Sequence, residues 1–248
     1  MIELSLLVIA LLVLAAFIAG YIDTLVGGGG LIVIPALLAA GVPPILALGT
    51  NKLQAVGGSG TATYSLWRRA QFTFAEVRTA MLAAFFGAVV GTLVVQQINA
   101  QTLSFVIPMV IGAIAAYFLL APMLKLVSKQ RISQRAYSFT AVPAIGFYDG
   151  MFGPATGSFL VMAGSALRGQ AIVTATKYAK PLNFATNAAS LSVFIWAGQV
   201  LWALGIMMFL GQLLGARLGT KQLMTINPEA LRYLVISLCL VMLISLFW

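Results

Sequence analysis

The sequence predicts an all-α integral membrane protein built from two inverted-topology repeats of about five segments each, with a short broken or re-entrant half-helix in each half. Three observations carry this expectation. Apolar runs fill almost the whole length, one set of motifs occurs twice in the same order, and Lys and Arg fall at opposite ends of equivalent segments. Of the 248 residues, 61% are hydrophobic and 8% charged, and the mean hydropathy is +1.04. A soluble domain carries about 25% charged residues. Runs such as Leu4–Ile22, Met81–Val95, Phe105–Val127 and Leu231–Trp248 are of the kind that cross a bilayer, for which about 20 apolar residues suffice.

The net charge of +9 does not point to nucleic acid. The basic residues form no stripe on a soluble face; they sit in short loops between apolar runs, as cytoplasmic loops of membrane proteins do. The first apolar run follows Glu3 without any Lys or Arg, which is wrong for a signal peptide. It also recurs later in the chain, so it is expected to be structural. The single Cys239 lies in the last apolar run, where it forms no intrachain disulfide and is expected to pack.

The recurrence is the most informative feature. Gly20-Tyr-Ile-Asp23-Thr-Leu-Val-Gly27 matches Gly146-Phe-Tyr-Asp149-Gly-Met-Phe-Gly153 at an offset of 126 residues, which also aligns Thr50 with Thr176. Gly87-Ala-Val-Val-Gly91-Thr92 matches Gly215-Ala-Arg-Leu-Gly219-Thr220 at an offset of 128, as Ile98-Asn99 matches Ile226-Asn227. Order is kept and the offset shifts once by two residues, as a small insertion would produce. This defines a first repeat at 1–127, a basic linker at 128–135 and a second repeat at 136–248.

Charge placement sets the orientation. The loop at Arg68-Arg69 is basic, with Arg78 just beyond, whereas its counterpart Ala197-Gly198-Gln199 is uncharged. The Gln96–Ala100 connection is uncharged, whereas its counterpart is flanked by Arg217, Lys221 and Arg232. The link between the halves carries Lys125, Lys129, Arg131 and Arg135. Equivalent loops thus belong on opposite sides, as an inverted repeat requires. The expected location is the inner (plasma) membrane, multi-pass, with basic loops cytoplasmic and both termini external.

The expected segments of the first half are roughly 3–22, 31–40, 44–66, 74–97 and 101–126; those of the second are 134–151, 156–167, 171–196, 199–220 and 229–248. The second segment of each half reaches only ~15–18 Å as a helix, too short to span. Each follows a break, at Gly27-Gly28-Gly29-Gly30 and at Gly153-Pro154-Ala155-Thr156-Gly157. Irregular backbone at membrane depth is tolerated only where protein buries it or a polar cavity lies beside it. Paired breaks in inverted halves point to a transport site. Glycine lets backbone N–H groups approach a ligand, and the half-helix N-terminus that follows attracts negative charge. Gly27–Gly30 lacks the Gly-Lys-Ser/Thr continuation of a nucleotide-binding loop.

Polar residues at depth complete the candidate site. Lys52 lies about eight residues into the third segment, and Lys177 and Lys180 lie six and nine residues into its counterpart, near Thr176, Asn183 and Asn187. A buried membrane lysine costs about 2.5–3.5 kcal/mol on insertion scales, so it is kept for function or for a specific partner. Snorkelling, or a structural ion pair with Asp23 or Asp149, is the plainer reading of any one lysine. Three lysines against two aspartates leave one positive charge, which favours an anion as the missing partner. Asp23 and Asp149 can pair with lysine, cap the half-helices or carry protons. Pro181 should kink its helix and free a carbonyl. Gly87-x-x-x-Gly91 and Gly211-x-x-x-Gly215-x-x-x-Gly219 fit close helix packing, and Trp67, Trp196, Trp202 and Trp248 fall near segment ends, as interfacial anchors do.

Asp23-Thr-Leu-Val-Gly-Gly-Gly-Gly-Leu-Ile-Val-Ile-Pro35 followed by Ala47-Leu-Gly-Thr-Asn-Lys-Leu-Gln54 resembles the first-half signature of the sulfite exporter TauE/SafE family. Ala175-Thr-Lys-Tyr-Ala-Lys-Pro-Leu-Asn-Phe-Ala-Thr-Asn187 resembles its second-half counterpart. The resemblance covers essentially the whole chain. It implies a plasma-membrane permease linked to export of sulfite, sulfonates or related sulfur anions. By motif match it implies substrate-binding roles for Gly27, Gly28, Gly29, Gly30, Thr50, Asn51, Lys52 and Gln54, and for Thr156, Thr176, Lys177, Lys180 and Asn183. Asp23 and Asp149 match as proton carriers or counter-ions. The second break departs from a plain glycine run, so the halves need not contribute equally.

The function expected is therefore export of a small anion through a central site between the repeats. An anion channel is the nearest alternative, because the same cavity could conduct without alternating access. A scaffold would not account for paired breaks with buried lysines. An intramembrane enzyme needs an acid, base, nucleophile or metal set, and without histidine no imidazole relay or His-ligated metal can form. No cofactor or metal is expected. The expected partners are the anion and the lipid bilayer, with a second copy of the chain as a further candidate, and no nucleic acid.

Overall fold

The computed structural model describes residues 4–120 and 129–222. The expected segment at 229–248, with Arg232, Cys239 and Trp248, lies outside the described residues. So do Lys125 of the linker and the Ile226-Asn227 match. Among the described residues the chain is helical without strands: α1 Leu6–Val26, α2 Gly30–Ala39, α3 Pro44–Arg68, α4 Phe74–Val95, α5 Ala100–Leu120, α6 Gln134–Phe139, α7 Ala141–Met151, α8 Thr156–Arg168, α9 Ile172–Trp196 and α10 Trp202–Gln222.

Local sequence sets most boundaries. Ser5 caps α1, its side chain accepting from the Val8 N–H at 3.3 Å, and Pro44 opens α3. A proline at the first helical position sacrifices no hydrogen bond there. Thr73 and Glu76 form a capping box at α4, and Ser133 caps α6. Gly27 ends α1 in the left-handed region (φ 89°), its N–H donating to the Asp23 carbonyl at 2.8 Å. The stretch expected as one segment over 134–151 is instead two helices that part at Thr140 (φ −122°, ψ −74°). Pro143 is the cause: its ring clashes with the carbonyl four residues back, at Phe139, and it has no N–H to offer.

The molecule turns an apolar surface outward. Ile206, Leu210, Leu214 and Leu218 form an exposed stripe on α10, and Leu82, Phe86 and Val90 do the same on α4. Large aliphatic and aromatic side chains at four-residue spacing lie on one helix face. In lipid this outward face has no hydrophobic cost. Helices α1, α4 and α10 are long and apolar enough to cross a membrane. Trp67, Trp196 and Trp202 lie at or beside helix ends and are exposed.

Polar residues go inward. On α3 the buried set includes Thr50, Asn51, Lys52, Gln54, Ser59 and Thr63; on α9 it includes Thr176, Lys180, Asn183, Thr186, Asn187 and Ser190. These two helices cross in opposite directions. Gly49, near the start of α3, lies against Phe194 near the end of α9 and Gln199 just beyond it; Gly60 lies against Phe184; and Leu66 shares an apolar cluster with Ala179 and Leu182 nearer the start of α9.

Close packing recurs in exchanged pairs. A methyl group added at Gly87 or Gly91 of α4 would strike the backbone of Pro143 or Phe147 on α7. One added at Gly215 or Gly219 of α10 would strike that of Phe17 or Tyr21 on α1. Likewise Gly146 meets Ala84, and Gly20 meets Gln212. The expected packing role of both glycine stripes is thus met, each against a helix of the other half. Basic residues gather at one end of the bundle. There Arg69 donates to the Thr220 carbonyl at 3.4 Å, the Arg131 N–H donates to the Leu167 carbonyl at 2.9 Å, and Arg168 bonds Gln134 at 3.1 Å.

Candidate functional site

The two breaks cross at the centre of the bundle. Gly27 and Gly157 approach so closely that a methyl on either would overlap the backbone of the other. Gly27 (φ 89°) and Gly153 (φ 93°) both take the left-handed region, where a side chain costs about 1–2 kcal/mol. Ala155 (φ 61°) takes it despite its methyl, which stores strain in the second break. From this crossing α2 and α8 each start with their N-termini toward the middle.

Asp23 and Asp149 brace the two starts. Asp23 Oδ1 accepts from the Gly29 N–H at 3.1 Å, and Asp149 Oδ1 accepts from the Thr156 hydroxyl at 2.7 Å. A carboxylate at a helix N-terminus satisfies free N–H groups and opposes the positive end of the helix dipole. The lysines then reach across the halves. Lys52 of α3 forms an ion pair with Asp149 Oδ1 at 2.9 Å and donates to the Asp149 carbonyl at 2.5 Å. Lys180 of α9 donates to the Asp23 carbonyl. Both lysines are 1% exposed. Lys180 has no carboxylate oxygen within 4.0 Å among the described residues.

Between these elements lies a polar cavity of about 20 Å³ lined by Asp23, Gly27, Gly29, Gly30, Asn51, Gln54, Ala55, Gly153, Thr156, Gly157, Asn183, Asn187 and Gln212. That volume fits about one water molecule, so anything larger enters only if the surrounding helices part. A second, open cavity of about 310 Å³ lies at the basic end, with Glu76, Tyr137, Arg168, Tyr178 and Leu182 in its wall. Leu182 and Asn183 are neighbours on α9, so that helix contributes to the walls of both.

The residues expected at the site divide accordingly. Asp23, Gly27, Gly29, Gly30, Asn51, Gln54, Thr156 and Asn183 line the central cavity. Lys52, Lys180 and Asp149 are outside its lining but bonded to it: Lys180 to the Asp23 carbonyl, and Asp149, paired with Lys52, to the Thr156 hydroxyl. Gly28, Thr50, Thr176 and Lys177 lie outside its lining. The Thr50 hydroxyl accepts from the Leu201 N–H at 3.1 Å and the Thr176 hydroxyl donates within its own helix to Ile172 at 2.8 Å. Lys177 is half-buried. Gln212 is a lining residue that the sequence reading did not single out; its signal is an isolated carboxamide deep in the apolar stretch of α10.

A bundle with a lipid-facing apolar surface and a polar cavity where two helix breaks cross is built as a membrane transporter. The model of the sulfite exporter TauE/SafE family matches residues 12–246, and the chain belongs to that family. It is 41% identical over 245 residues to "Probable membrane transporter protein ORF9" of Sinorhizobium sp, covering 98% of this chain and 94% of that one. It is 40% identical over 235 residues to a "Probable membrane transporter protein" of Haemophilus influenzae, covering 94% and 92%. It is 40% identical over 237 residues to "Probable membrane transporter protein YfcA" of Escherichia coli K12, covering 95% and 88%. No solved structure matches the chain. These relatives carry the names of membrane transporters, not of enzymes, which supports a small-molecule substrate and membrane embedding.

Proposed function

We propose that this transporter exports a small sulfur oxyanion, sulfite or an organic sulfonate, across the inner membrane through the cavity where the two breaks cross. The observation that carries the reading is Lys180: a fully buried ammonium whose hydrogen bond among the described residues goes to the Asp23 backbone carbonyl, with the Asp23 carboxylate acting on it from beyond ion-pair distance, beside a cavity of carboxamides and two half-helix N-termini. Burial makes a cation without a carboxylate partner costly, and an anion in the cavity would offset that cost. Lys52, bound to Asp149, serves as a tie between the halves. The binding set is Gly27, Gly29, Gly30, Asn51, Gln54, Thr156 and Asn183, with Lys180 supplying the charge. Asp23 and Asp149 act as fixed counter-ions that hold the half-helices.

The two halves are inverted repeats in this reading. The opposite courses of α3 and α9 and the exchanged glycine contacts support it. Alternating access is then a rocking of one half on the other, with the cavity at the basic end as its cytoplasmic vestibule and both termini external. Single-cysteine labelling at Arg69 and at Ala197 in a Cys239→Ala background tests the orientation: labelling of both from one side contradicts it. Flux of sulfite and of a permanently charged sulfonate into proteoliposomes tests the function. Saturable, trans-stimulated flux is expected. Ohmic flux would make the protein a channel, and absent flux would remove the transport reading for these anions.

A further inference from the structure

Gln212 sits in the middle of α10 and is fully buried, and neither end of its carboxamide has a partner among the described residues. Gln54, which lines the same cavity, likewise leaves its Oε1 without one. A buried amide that forms no hydrogen bond carries the full cost of its desolvation, so such groups are rare and call for an explanation.

Packing does not supply one. The position of α4 equivalent to Gln212, at the offset of 128 residues, is Ala84. Ala84 lies against Gly146 through its backbone, just as Gln212 lies against Gly20. A methyl side chain therefore suffices for this helix crossing. The α10 site carries a carboxamide in addition, and α3 makes room for it: a Cβ at Gly58 would lie 2.5 Å from Gln212 Nε2. Gly58 follows Gln54 by one helical turn on the same face of α3, and the Gln54 and Gln212 amides line one cavity together with Asn183 and Asn187 of α9.

We infer that Gln212 is a substrate-contacting residue, its amide N–H group donating to an oxygen of a small oxyanion, with Gln54 as its neighbour in the same shell. Gln54 donates to Asn51 Oδ1 at 2.9 Å. Reversing both amides turns that bond around and directs a Gln54 N–H into the cavity, since a carboxamide presents a donor or an acceptor by a half-turn. Neutral donors suit an anion that must also leave, because they orient its oxygens without the full attraction of another cation. Ala84 offers no such group, so this contact belongs to one half of the protein alone.

The inference rests on the anion-transport reading, and the experiment separates the two. Binding of sulfite, sulfate and sulfoacetate to detergent-purified protein is measured for the wild type, Gln212→Met and Gln212→Glu, together with the melting temperature of each without anion. The expected result is a Gln212→Met protein that melts no lower than the wild type, because an unpartnered amide has been replaced by an apolar chain of similar length, but binds about tenfold or more weakly. Gln212→Glu, which keeps the shape and replaces the donor with an acceptor, should lose binding as well. A lowered melting temperature with unchanged affinity in Gln212→Met would make the amide structural and overturn the inference, as would collapse of both variants. A wild type that binds none of the three anions would overturn the transport reading itself, and this inference with it.

Discussion

The two corners of the site use the same pair of residue types differently. In the second-half corner, Asp149 takes the Lys52 ammonium on both its carboxylate and its carbonyl, and the Thr156 hydroxyl on the same carboxylate oxygen. In the first-half corner, Asp23 gives its carboxylate to the Gly29 N–H and only its carbonyl to Lys180. One corner is therefore a closed ion pair that ties α3 to α7. The other holds a cation whose charge has no carboxylate in contact. The difference begins in the breaks: Gly30 of the first half is Thr156 in the second, and only the second supplies a hydroxyl, to the same Asp149 Oδ1 that Lys52 takes, while Asp149 Oδ2 has no partner among the described residues. On the proposed reading, the two matching motifs serve as a fastening and a binding element.

If that division is right, the largest loss of stability comes from the fastening. Lys52→Met leaves the Asp149 carboxylate buried without its cation and should cost about 3–5 kcal/mol, with poor recovery of folded protein. Asp149→Asn added to it should restore part of the melting temperature, and no recovery would show that the ion pair is not what holds the corner. Gly27→Ala should come next, at about 2–4 kcal/mol, because the methyl meets both a left-handed backbone and the Gly157 chain. A melting temperature equal to the wild type would mean that the breaks do not touch as described. Lys180→Met should have the smallest effect on stability, less than about 1.5 kcal/mol, since it removes a buried charge together with one hydrogen bond. A loss as large as that of Lys52→Met would make the two corners equivalent.

Much of this was legible in the chain. Apolar run lengths, the glycine breaks and the small-residue stripes each map onto a local rule, and α2, α8 and the close packing along α4 and α10 follow from them, though not which helices they meet. Pro143 could have revealed the split between α6 and α7, but the apolar run across it concealed the break. Which lysine meets which aspartate was not legible, because the partners stand 97 and 157 residues apart and only the crossing of the halves decides it. Counting residues into a segment gave depth without rotation. Two steps of three residues turn a helix about 120° away from its starting face, which carries Lys177 off the face that Asn183 presents. Thr50 shares a face with Gln54, so its position one turn nearer the start of α3, and not rotation, takes it to Leu201 while Gln54 lines the cavity. Gln212 carries no repeat signal, because the position that matches it in the first half is Ala84.

The central claim is that Lys180, rather than Lys52 or Lys177, supplies the positive charge for the anion. It is tested most directly by the melting temperature of wild type and Lys180→Met across a concentration series of sulfite and sulfoacetate, with chloride as the ionic-strength control. Ligand that binds only the folded state raises the melting temperature with concentration. The account predicts such a rise for the wild type with at least one of the sulfur anions and none for Lys180→Met, from nearly the same starting temperature. An equal rise in both proteins would contradict it.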